Sequence, residues 1–131
     1  MIRLAQVALV AVALGLVSGC ATLADAQAAK GTGTTKTYAV EYDVAWDALL
    51  DVVKSSGLQL VAENKDEGTI LAQRSITAFS WGERVAIFVE KMGDTVATRV
   101  EVVNKRVLAT NITAANWEKR IFEELDKRLV K

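Results

Sequence analysis

The chain has no histidine and no proline, and its 131 residues include one cysteine, Cys20. Without histidine, no side chain has an ordinary pKa near neutrality. Ser-His-Asp and Cys-His nucleophile arrangements and histidine-ligated zinc are therefore excluded. A single thiol forms no internal disulfide, so an exported domain of this sequence must rely on its core. An excess of one charge is also lacking, because sixteen basic and sixteen acidic residues balance. That balance leaves no electrostatic footprint for nucleic acid and no charged tail. There is one long apolar run, Leu4–Val17, broken only by Gln6. As a helix it measures about 21 Å, short of the roughly 30 Å hydrocarbon core, which argues against a transmembrane anchor.

What is present begins at that run. Arg3 supplies a short positive start, and small residues follow the apolar stretch, which is the layout of a secretory signal peptide over residues 1–19. Val17-Ser18-Gly19-Cys20 closes it. This tetrapeptide resembles the lipobox of bacterial lipoproteins. The resemblance implies a diacylglyceryl group on the Cys20 sulfur, cleavage before Cys20, and a fatty acyl group of the palmitate type on the new amino terminus. Two or three acyl chains make attachment stable where one does not. Ala21, where an aspartate would favour inner-membrane retention, implies the periplasmic face of the outer membrane in a Gram-negative host. Ordinary signal cleavage after Ala26 or Ala28, releasing a soluble protein, is the alternative. Residues 20–35 then read as the lipidated cysteine and a flexible tether, since "ATLADAQAAKGTGTT" is small, polar and without hydrophobic period.

Residues 36–131 read as one globular domain. "KTYAVEY" alternates Tyr38, Val40 and Tyr42 against Ala39 and Glu41, the period of a strand. Asp43 is placed to cap the helix "VAWDALLDVVKSS", which carries Ala45, Leu49, Val52 and Val53 on one face and ends at Gly57. Strands follow at "LQLVAEN", "TILAQRSI" (Ile70, Ala72, Ile76 together), "RVAIFVEK" (Val85, Ile87, Val89) and "TVATRVEVV". The last alternates apolar and polar residues, as expected of a sheet covered on one side. "NKRVLATNIT", residues 104–113, reads as a loop. The final segment is an amphipathic helix with Trp117, Ile121, Leu125 and Leu129 at four-residue intervals and Phe122 beside them. On its wet face Glu123 precedes Lys127, and Glu124 precedes Arg128, by four residues. The order β-α-β-β-β-β-α predicts an α+β two-layer sandwich, an antiparallel sheet with both helices packed on one face.

The Asp43-Val44-Ala45-Trp46 segment, the "EGTILA" turn at 67–72 and the ending "FEELDKRL" at 122–129, behind a lipobox and tether, resemble a family of small proteobacterial outer-membrane lipoproteins of unknown function. The element order is also similar, at the level of fold, to the helix-grip domains of BamC, an accessory lipoprotein of the barrel assembly machine. Fold likeness does not license function, and neither resemblance brings catalytic residues.

Candidate sites divide between chemistry and packing. Phe79 and Trp81 form an aromatic corner ending at Gly82, either a partner contact or part of the core. Trp46, Trp117 and Phe122 either wall an apolar ligand pocket or pack the helices onto the sheet. Lys105 and Arg106 offer an anion contact or an exposed turn, and Asp43 with Asp47 a carboxylate pair or a helix start. The expectation is a non-enzymatic, membrane-tethered accessory or protein-interaction module of the cell envelope. It has no metal and no cofactor beyond the acyl groups on Cys20, and its partner is an envelope protein. The alternative is a lipid or apolar small-molecule binding domain with a cavity between sheet and helices.

Overall fold

The computed structural model describes residues 28–74, 83–106 and 116–130. Five antiparallel strands, β1 (Thr34–Tyr38), β2 (Gln59–Asn64), β3 (Thr69–Arg74), β4 (Glu83–Lys91) and β5 (Thr98–Arg106), form one sheet with helices α1 (Tyr42–Ser55) and α2 (Trp117–Leu129). The spatial order is β1-β5-β4-β3-β2. Strands β2 to β5 run as a meander, and β1 joins at the far edge beside β5. The α+β architecture and its element order match the sequence expectation.

Both helices lie on one face because their apolar stripes have a single sheet to share. Ala45, Trp46, Leu49, Val52 and Val53 of α1 and Trp117, Ile121, Phe122 and Leu125 of α2 are buried there. They meet a cross-strand row of Ile70, Ile87 and Val102, flanked by Ala72 with Val85 and by Val89 with Val100. Leu49, Ile70, Ile87, Ile121 and Leu125 are fully buried, each contributing about 1.5–3 kcal/mol of transfer free energy. Gly57, at φ +78°, ends α1 beyond Ser56. Asn116 caps α2 by accepting from the Lys119 amide at 3.1 Å.

Several local expectations are corrected. Strand β1 begins at Thr34, inside the segment expected as tether, and ends at Tyr38. Tyr42 is helical rather than extended: its ring stacks on Trp46 one turn later, at 6.1 Å, and its hydroxyl donates to the Lys65 carbonyl at 2.6 Å. Drawing Tyr42 into α1 makes Glu41 the N-cap, without a side-chain bond, and places Asp43 in the first turn. There Asp43 pairs with Lys65 at 3.0 Å. Strand β5 starts at Thr98, leaving Val96 exposed in the preceding loop, and runs on through Lys105 and Arg106, so those two end a strand instead of sitting in a turn. On α2 the expected pair of Glu124 with Arg128 is present at 3.4 Å, but Lys127 also turns to Glu124, at 2.7 Å, and Glu123 pairs with Lys119 in its place.

The larger correction concerns the other side of the sheet. Ala62, Leu71, Ala86 and Val103 are register neighbours across four strands and face away from the helices. With Phe88 and Ala29 they form a second apolar cluster, in which Leu71, Ala86, Phe88 and Val103 are all buried. The sheet is therefore apolar on both faces.

Candidate functional site

This second cluster is where the chain enters the domain. Ala29 lies in it, 3% exposed. Its carbonyl accepts from the Thr32 amide at 3.2 Å and from the Thr32 hydroxyl at 2.6 Å, closing a turn. Gly31, at φ +90°, reverses the backbone in a region that side chains disfavour. Both Gly31 and Gly33 then donate their amides to one oxygen, Glu101 Oε1, at 2.6 and 3.0 Å. Glu101 stands on the outer face of β5 between Phe88 of β4 and Thr35 of β1, and is 8% exposed. A carboxylate accepting two backbone amides makes charge-assisted bonds, stronger than neutral ones. Lys30 Nζ lies 6.0 Å above the Phe88 ring, within cation–π range. The entering segment is thus fastened by a carboxylate, an apolar contact and a cation over a ring.

The helix-facing side of β1, where it meets α2, holds a second polar cluster. Asp126 accepts from the Tyr38 hydroxyl at 2.7 Å and from Lys36 Nζ at 2.6 Å. Those hydrogen bonds, Lys36 first and Tyr38 second, hold the Asp126 carboxyl below the ordinary carboxylate range. Burial, then the hydrogen bond to Asp126, pushes the Tyr38 phenol well above its usual value. Thr34 donates to Glu118 at the same seam. These contacts tie α2 to the edge strand, which is a structural task.

Two further surface grooves lie away from that seam. One, of about 480 Å³, lies between the end of α1 and α2 and includes Ser55, Trp117, Arg120 and Arg128. Arg120 covers the Trp117 ring at 5.5 Å, and the indole N–H has no hydrogen-bond partner among the described residues. The other, about 410 Å³, lies at the start of α1 beside Tyr42, Asp43 and Lys91. In it Asp43 is engaged by Lys65, whose pKa rises through that hydrogen bond. Asp43 and Asp47 are both exposed, on the first turns of α1.

Trp46, Trp117 and Phe122 belong to the main core, packed with Leu49, Ile121 and Leu125. Val17, Ser18, Gly19 and Cys20, the corner residues Phe79 and Trp81, Ile76, and the 107–113 part of the expected loop lie outside the described residues. Among the described residues no group of three acidic, cysteine or histidine side chains is placed to hold a metal, and no helix is long and apolar enough to cross a membrane. Sequence reasoning missed Lys30, Gly31, Gly33 and Glu101. The one local signal is the "KGTG" run, whose glycines fit a flexible tether equally well. Comparison with protein families and with curated proteins finds no match for the chain.

Proposed function

We propose that the protein is a lipoprotein anchored through acyl groups on Cys20, whose domain serves as a non-enzymatic accessory or protein-interaction module of the cell envelope. The observation that carries this reading is the Val17-Ser18-Gly19-Cys20 tetrapeptide, directly after an apolar run too short to span a bilayer. Docking of Ala29 to Gly33 onto Glu101 supports it, because a short, fastened entry suits a domain held close to its anchor. The interior between helices and sheet is filled by Leu49, Val52, Ile87, Ile121 and Leu125, which favours an interaction module over a ligand carrier. In a Gram-negative host Ala21 assigns the anchor to the outer membrane, facing the periplasm. The partner is an envelope protein, with Phe79 and Trp81 as its candidate contacts.

Metabolic labelling with a fatty acid tests the anchor. Wild-type protein incorporates label and sediments with membranes, and Cys20→Ser does neither. A released, unlabelled chain beginning downstream of Cys20 overturns the reading. Photo-crosslinkers at Phe79 and Trp81 in living cells test the partner, and a defined adduct from one of them is the expected result.

A further inference from the structure

We infer that the outer face of the sheet, the side opposite the helices, rests against the headgroup surface of the bilayer that carries the anchor. This inference rests on the lipoprotein reading. It starts from the place where the chain enters the domain. Ala29 is buried in the outer-face cluster, and Gly31 and Gly33 are pinned to Glu101 on that face. Ala28 lies eight residues beyond Cys20. Even fully extended, eight residues reach only about 28 Å.

That length decides the orientation. A domain of about 100 residues has a radius of gyration near 13 Å, hence an equivalent sphere of about 17 Å radius. Turning the helical layer to the membrane requires the leash to travel half the circumference, about 50 Å, from its exit on the opposite side. The leash is too short by nearly half. Only the outer face, or an edge beside it, can approach the anchor.

The chemistry of that face agrees. Among the described side chains its cations are Lys30, above Phe88, Arg84, on the same side of β4 as Ala86 and Phe88, and Arg99, which pairs with Glu90. The acidic groups there are engaged, Glu101 by the two glycine amides and Glu90 by Arg99. Thr35, Thr37, Gln59 and Gln73 supply uncharged polar groups around them. Two exposed cations that form no ion pair among the described residues, set among neutral hydroxyl and amide groups and beside a Glu101 carboxylate held by backbone amides, suit an anionic, hydrogen-bonding phospholipid surface.

The test uses the acylated mature chain in vesicles of phosphatidylethanolamine and phosphatidylglycerol, some of whose headgroups carry a nitroxide quencher. The Cys20 sulfur is blocked by its lipid, so a fluorophore goes to one introduced cysteine at a time. Thr37→Cys and Arg84→Cys probe the outer face; Asp51→Cys on α1 and Glu123→Cys on α2 probe the helical layer. Strong loss of fluorescence at the first two and little at the second two is the expected result, with Lys30→Glu weakening the loss at Arg84→Cys. Equal or stronger quenching of the helix probes in a chain of confirmed acylated mass overturns the orientation alone. So does an outer face shielded from the quencher by a second copy. An intact mass without acyl groups overturns the lipoprotein reading and the orientation with it.

Discussion

Gly33 passes so close to Val102 that a Cβ on the glycine would collide with the Val102 carbonyl oxygen and lie 2.7 Å from Val103 Cγ2. Real Cβ contacts do not occur under 3.0 Å, so backbone must shift. The next residue, Thr34, is already in register with Val102, which leaves little room for the shift. Gly33→Ala is expected to lift the entering segment from the sheet and to cost about 1–3 kcal/mol, the range for overpacking a close contact. Faster amide exchange and proteolysis over residues 28–33, with exchange in β3 and β4 nearly unchanged, is the measurement that checks it.

Glu101 separates charge from shape. Glu101→Ala removes the acceptor of two part-buried amides, each left unsatisfied at a cost of about 1–3 kcal/mol where water cannot replace it. Glu101→Gln keeps an oxygen in the same place and is expected to retain most of the docking. Urea midpoints should rank wild type, Gln and Ala in that order. Amide exchange at Gly31 and Gly33 should follow the same ranking, and equal exchange in Gln and Ala would show that the oxygen does not matter.

These two residues also mark what could be read from sequence. The α2 stripe of Trp117, Ile121 and Leu125 was legible because helical burial repeats within a few positions. The Glu101 contacts to Gly31 and Gly33 join positions 70 and 68 apart, and no local pattern records such a pairing. A signal for the second apolar face was present in "RVAIFVEK", where Ala86 and Phe88 fall between Val85, Ile87 and Val89. An unbroken apolar run is what a strand buried on both faces looks like. Alternation in the neighbouring β5 points to one side only. Asp43 suits a cap by residue type, but the Tyr42 ring on Trp46 carries the helix start two residues earlier than the cap would allow. Local propensity lost there to side-chain packing.

Leu125 is fully buried where α2 faces the sheet and packs in the same core as Leu49 and Val102. Leu125→Ala leaves a cavity among residues that can only partly close it, with an expected loss of about 2–5 kcal/mol. Leu129, one turn on, only packs against the edge of that core, so Leu129→Ala should cost clearly less. Thermal or urea unfolding of the two variants checks the ordering, and a reversed order would mean that α2 is seated differently.

Asp126 gives the fold an acid-side dependence. Its carboxyl is lowered in the folded chain, by hydrogen bonds from Lys36 and Tyr38. A depressed carboxyl contributes stability above the unfolded value of about 3.9, and that contribution is lost as pH falls through the folded value. Wild type and Asp126→Asn should therefore differ most near neutrality and converge on acidification below about pH 4. The effect is small because the Lys36 pair is partly exposed and screened by water. Urea midpoints of both proteins measured across that range, at low salt, provide the comparison.

The alkaline side belongs to the tyrosines, of which the chain has two. Both phenols are raised in the folded state, Tyr38 by burial and its bond to Asp126, Tyr42 by burial first. A raised pKa means that the folded state holds the proton more tightly than the unfolded chain. Stability from this source is complete below the unfolded value of about 10 and declines as pH climbs toward the folded value. Ultraviolet titration should accordingly show no tyrosine ionising at the ordinary position while the domain is folded, with Tyr42 ionising first and Tyr38 only together with loss of near-ultraviolet circular dichroism. In Tyr38→Phe the remaining signal is Tyr42 alone, whose smaller shift is opposed by the charge of Lys65, so it should ionise ahead of unfolding. A wild-type titration in which one phenol ionises normally, with Tyr38→Phe removing that step, would contradict the Tyr38–Asp126 contact on which the seating of α2 against β1 depends.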